Sequence, residues 1–188
     1  MRCFVAVALP DAVRSLLVQV QEALRRAEAD VKWVEAGNLH LSLKFLGELH
    51  EDQVSRLQGL LSVEALRWRR IQLHYRGVGV FPSGGTPRVL WAGCAGDVDT
   101  LAGLAGSIER CAEQVGVPRE PHPFVAHLTL GRVKSDRNVK RLKGLIEAQR
   151  EAAFGSDGVS EFVLYRSTLT PSGPIYEPLS TFPLPSAP

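Results

Sequence analysis

The spacing of apolar residues changes period repeatedly along the chain, and each change marks an element. Phe4-Val5-Ala6-Val7-Ala8-Leu9 is β-prone and stops at Pro10-Asp11, where Asp11 can cap a helix running to about Ala29. Val13, Leu16, Leu17, Val20 and Leu24 recur at i, i+3 and i+4, the stripe of a helix with one buried side. An extended piece, Val31 to Val34, and a turn over Glu35-Ala36-Gly37-Asn38 lead into a strand from Leu39 to Leu46. Asp52 to Leu66 predicts a second helix, with Val54, Leu57, Leu60 and Leu61 inward. Ile71 to Val80 and Arg88 to Cys94 read as two strands of a hairpin across the Pro- and Gly-rich loop from Phe81 to Pro87. A third helix is expected from Asp97 to Val115, an irregular approach from Gly116 to Pro123, and a strand from Phe124 to Val133. A helix from Asp136 to about Ala152, a strand from Val159 to Thr170, the turn Pro171-Ser172-Gly173-Pro174 and a strand from Ile175 to about Phe182 complete the pattern. Hairpins demand antiparallel pairs, and their alternation with helices gives an α+β or α/β chain. No low-complexity linker divides it, so residues 1–188 are expected to form a single bilobal domain.

Composition adds limits. At 188 residues, with 45% hydrophobic and 22% charged, the chain has the material for one sizeable core and no sign of disorder. A net charge of +2 is too small for a general nucleic-acid coat but allows a local basic patch. Cys3, Cys94 and Cys111 are widely separated, which suits a reduced cytoplasmic setting better than disulfides or thiolate metal binding. The apolar start from Cys3 to Leu9 is shorter than a signal h-region, and no run of roughly 18 apolar residues suggests a membrane span.

The chemistry lies in a repeat. His40-Leu41-Ser42-Leu43 returns 87 residues later (127 − 40) as His127-Leu128-Thr129-Leu130. Strand side chains alternate between faces, so each unit shows an imidazole and a hydroxyl on one side while its leucines fasten the strand to a core. Imidazole has an ordinary pKa near 6.5, so one ring can be neutral and another protonated at the same pH, as a general base and a general acid require. The hydroxyls of Ser42 and Thr129 can donate to an oxyanion or hold a phosphate oxygen between the rings, and a phosphodiester suits the arrangement. Arg132 follows in Leu130-Gly131-Arg132, and its planar fork suits bidentate phosphate binding. Gly131 permits unusual backbone angles or a close approach. Arg132 lies an odd number of residues from His127, so only a bulge or strand end near Gly131 would bring it to the histidine face.

With their flanks, Asn38-Leu39-His40-Leu41-Ser42-Leu43-Lys44-Phe45-Leu46-Gly47-Glu48, Pro87-Arg88-Val89-Leu90-Trp91-Ala92-Gly93 and His127-Leu128-Thr129-Leu130-Gly131-Arg132, these motifs resemble the 2H phosphoesterase superfamily. Within it they are most similar to the RNA 2′,3′-cyclic phosphodiesterases, also called 2′–5′ RNA ligases. The resemblance runs from Phe4-Val5-Ala6-Val7 to Tyr176-Glu177-Pro178-Leu179. It implies a bilobal α+β fold: two pseudo-symmetric lobes of antiparallel sheet with outer helices around a central cleft. It implies metal-independent hydrolysis of a 2′,3′-cyclic phosphate, on an RNA end or a small cyclic nucleotide, to a 2′-phosphate. His127 is then the general base and His40 the general acid, Ser42 and Thr129 fill the family's hydroxyl positions, and Arg132 its phosphate-binding arginine. It also implies reversible 2′–5′ ligation without ATP, consistent with the absence of a Gly-x-x-x-x-Gly-Lys-Ser/Thr loop. Val125-Ala126 departs from the Arg-Pro that relatives often carry there. The expected state is a monomer with no metal, cofactor or membrane partner.

Other readings compete. A nucleotide- or RNA-binding module could keep the cleft without chemistry, but binding alone would tolerate donors other than two His-hydroxyl pairs. A metal hydrolase would need Asp, Glu or Cys beside the histidines, and neither motif has one. Phe45 is a candidate for lining the cleft and stacking on a base, with a core position as the alternative. His50, His74 and His122 have no hydroxyl in register and read as surface or packing. The glycines of Gly77-x-Gly79 and Gly84-Gly85 read as turns, and Arg67-Trp68-Arg69-Arg70 and the set Arg137, Lys140, Arg141 and Lys143 as solvated charge.

Overall fold

The computed structural model describes residues 1–186. In chain order the elements are β1 (Arg2–Ala8), α1 (Asp11–Arg25), β2 (Val31–Trp33), a 3-10 turn (Ala36–Asn38), β3 (His40–Glu48), α2 (Glu51–Ala65), β4 (Ile71–Phe81), β5 (Val89–Gly96), α3 (Val98–Gln114), β6 (His127–Val133), α4 (Val139–Ala148), β7 (Ala153–Val159), β8 (Glu161–Thr170) and β9 (Gly173–Pro183). All nine strands belong to one antiparallel sheet of order β7-β4-β5-β6-β3-β1-β8-β9. The short β2 pairs along the edge of β6 that β5 leaves free.

The two halves of the sheet meet at β3 and β6 through a single paired position, Leu41 with Leu128. Both leucines are fully buried, as is Leu130, and Leu39 and Leu43 are nearly so. Leu17 and Leu24 of α1, Leu57 and Leu61 of α2, Leu101, Leu104 and Ile108 of α3 and Leu142 of α4 join them in one core cluster. Burying one leucine contributes about 1.5–3 kcal/mol, so each motif strand is held by its leucine row while its other face stays half open. Lys44 adds a polar tie: its side chain is 1% exposed, and its ammonium donates to Glu109 of α3 at 2.8 Å and to the Pro118 carbonyl at 3.0 Å.

Several expectations need correction. The fourth helix stops at Ala148, and a further strand, β7, occupies Ala153–Val159 before the expected strand begins at Glu161. Ala-Phe-Gly-Ser-Asp-Gly-Val has little β-propensity, and β7 forms because it can add to the outer edge of β4, burying Phe154 and Val159. β6 begins at His127 and not Phe124, since the Val125 carbonyl turns to the His127 ring. Gly77 and Gly79 lie within β4 and form no turn. Gly77, at φ +75°, sits at a register shift between Arg76 and Val78, and the Trp91 ring covers Gly79 so closely that an added Cβ would overlap the indole.

Candidate active site

Both histidines are held in the same way. His40 Nδ1 lies 2.7 Å from the carbonyl of Asn38, and His127 Nδ1 lies 2.7 Å from that of Val125, each two residues upstream. A carbonyl can only accept, so Nδ1 carries the proton in both rings and Nε2 is turned to the open face. His40 Nε2 is 2.9 Å from Ser42 Oγ, which donates to it when the ring is neutral. Continuing the Leu41–Leu128 register by one residue sets His40 across from Thr129 and Ser42 across from His127. The two histidines are then diagonal neighbours on adjacent strands, a relation that spaces backbones about 7–8 Å apart, within reach of one tetrahedral phosphorus with a hydrogen bond on each side.

Cross-strand partners share a face, and three of those of the motif residues are small, Ala8 opposite His40, Ala6 opposite Ser42 and Gly93 opposite His127, while Trp91 stands opposite Thr129. That leaves room above the rings. The same registers contain a repeated irregularity. Lys44 pairs with Val5 and Ser42 with Ala6, so Leu43 is extra; Gly131 pairs with Leu90 and Thr129 with Trp91, so Leu130 is extra. Each motif thus carries a β-bulge at its fourth residue, which reverses the parity of the residues beyond it. Phe45 and Arg132, themselves 87 residues apart, are returned to the histidine face, and both are exposed, Phe45 by 58%. Phe45 is therefore no core residue. Gly131 is needed for close approach and not for its angles: a Cβ there would lie 2.7 Å from Val31 Cγ1.

Aromatic rings wall the cleft. Phe4 lies 4.9 Å from the His40 ring between centroids, and Tyr176 meets the same ring edge-on at 5.4 Å. Phe81 meets His127 edge-on at 5.3 Å and packs on Trp91 at 5.2 Å. A small pocket opens beside His40, lined by Phe4, Arg14, Asn38, Tyr165 and Tyr176. Burial in this aromatic setting pushes the His40 pKa below 6.5, against the opposing effect of its bond to Asn38. Burial also raises the Tyr176 phenol, while the positive charges of Arg2 and Arg132 act the other way, which locates Arg132 within electrostatic reach of the His40 wall.

Residues 7–91 and 95–176 match the family model of the LigT-like phosphoesterases. The chain belongs to that family. Among LigT-like relatives, it is 37% identical to the RNA 2′,3′-cyclic phosphodiesterase of Methanothermobacter thermautotrophicus, over 97% of this chain and 98% of that one. It is 36% identical to the enzyme of the same name from Methanocaldococcus jannaschii, over 94% and 97%. Its fold matches the crystal structure of TT0787 of Thermus thermophilus with a TM-score of 0.82 and 33% identity, covering 99% of both chains. It also matches E. coli LigT complexed with 3′-AMP with a TM-score of 0.80 and 27% identity, covering 97% of each. The α+β architecture is thus the LigT-like one.

His40, Ser42, Phe45, His127, Thr129 and Arg132 all lie on the one face. His74 instead lies 2.7 Å from Ser156 on the outer strands, and His50 precedes α2, where its backbone N–H donates to Gln53. Of the basic sets, Arg67 and Arg141 pair with Glu64 and Glu28. Sequence reasoning missed Phe4, Phe81, Trp91 and Tyr176 as parts of the site; the pairings Phe4–Phe45 and Trp91–Thr129 place the first and third, and the ring contacts Phe81–His127 and Tyr176–His40 the other two. No three His, Cys, Asp or Glu residues gather as a metal cluster among the described residues, and no helix there is long and apolar enough to cross a membrane.

Proposed function

We propose that this chain is an RNA 2′,3′-cyclic phosphodiesterase that opens the cyclic ester to a 2′-phosphate by two-histidine acid–base catalysis. Water attacks phosphorus, His127 Nε2 takes the water proton, the P–O3′ bond breaks, and His40 Nε2–H delivers a proton to O3′. Ser42 and Thr129 hold phosphate oxygens, Arg132 binds the phosphate through its fork, and Phe45 stacks on a base. His127 Nε2 has no partner among the described residues, which suits a base, whereas His40 Nε2 is held by Ser42. With a 5′-hydroxyl attacking in place of water, the same course, with the P–O3′ bond broken and O3′ protonated, gives a 2′–5′ diester without ATP, and its reversal cleaves that diester. The enzyme works as one bilobal monomer in the cytoplasm and needs no metal or cofactor.

The observation that carries this reading is the paired anchoring of both Nδ1 atoms, which leaves two Nε2 atoms on one open face, that of His40 beside the Ser42 hydroxyl. The names of the relatives supply the substrate class. An oligonucleotide ending in a 2′,3′-cyclic phosphate, incubated with the protein in chelator, is expected to give a 2′-phosphate. A 3′-phosphate product would contradict the assignment of the leaving oxygen, and an unreacted end would contradict the activity.

A further inference from the structure

β2 places Lys32 directly across from Arg132. Cross-strand partners share a face, and the other face is occupied, since the site of a Gly131 Cβ is bounded by Val31 and the Trp33 ring. Lys32 and Arg132 therefore project together on the histidine side, and both are exposed. Like charges set opposite each other repel, and among the described residues neither has a carboxylate at ion-pair distance. The other half of the molecule treats the equivalent position differently. Arg119, 87 residues after Lys32, is neutralised by two bonds to Glu113, at 3.1 and 2.9 Å, and lies between Pro118 and Pro121 in a segment that forms no strand.

One half thus keeps an uncompensated pair of cations in line with the cleft, and the other half presents Phe45 at the position matching Arg132. A pseudo-symmetric site that must bind a directional chain has to break its symmetry in some such way. We propose that Lys32 binds a second backbone phosphate, adjacent to the cyclic one, and that the preferred substrate is an oligoribonucleotide with an internal phosphodiester over a cyclic mononucleotide. This rests on the cyclic phosphodiesterase reading and adds a subsite to it.

The test compares three substrates: a cyclic mononucleotide, a dinucleotide with a 2′,3′-cyclic end, and that dinucleotide with a neutral methylphosphonate linkage. In the wild type, kcat/KM should favour the charged dinucleotide over the neutral one by about tenfold. Lys32→Ala should reduce that preference, and the dinucleotide-to-mononucleotide ratio, to near unity, while Lys32→Arg should restore both. Ratios unchanged in Lys32→Ala, with the enzyme active on all three, would overturn the subsite alone. A wild-type protein inert on all three would overturn the phosphodiesterase reading as well.

Discussion

His40 and His127 offer their Nε2 atoms because a carbonyl two residues back has already taken Nδ1, so the tautomer is fixed before any substrate arrives. Phe4 and Tyr176 then strip water from His40 and favour its neutral form, which the proposed role as acid would have to overcome. An anion between the rings supplies the missing stabilisation of the charged form. Followed by NMR, His40 should titrate below 6.5 in the free protein and move upward with saturating inorganic phosphate. A titration at or above 6.5 that phosphate leaves unmoved would contradict this. The motif residues themselves were legible because alternation is local. Arg132 was half legible, since its parity demanded a bulge that the sequence could not show, and Tyr176 was invisible as a site residue because β9 reaches His40 only through the β8–β1 and β1–β3 pairings of distant strands.

At the scale of elements, glycine shows how a strand shapes the cleft. Gly79 of β4 lies beneath the Trp91 ring, and that ring backs the Phe81–His127 contact. Gly59 of α2 has open space where a Cβ would go. Gly79→Ala must displace the indole and should cost about 1–3 kcal/mol, whereas Gly59→Ala should stabilise by about 0.5–1 kcal/mol through helix propensity. Urea unfolding of the two variants checks this, and a shift of the same sign in both would refute the packing argument. Helices α1, α2 and α3 were read to within a few residues because their apolar stripes are long and regular. β7 was not, because its glycines and small polar residues make a strand only when β4 offers an edge.

Across the whole molecule, one leucine pair joins two half-sheets, and the pseudo-two-fold relation around it brings histidines 87 residues apart onto one face. The repeat was plain in the sequence; the bridge was not, since nothing local in either motif records which strand lies beside it. The Lys44–Glu109 pair and the common core hold the halves in register, so the rings are positioned jointly. If both rings serve one phosphorus in one step, removing either should cost nearly all that the pair contributes. The decisive measurement is therefore turnover of a 2′,3′-cyclic-ended oligonucleotide by His40→Ala, His127→Ala and the double variant. Each single variant should lose at least about 10²–10⁴ in kcat, and the double should be little worse than the poorer single. Turnover surviving in either single variant, or independent losses that multiply in the double, would contradict a shared proton-transfer pair.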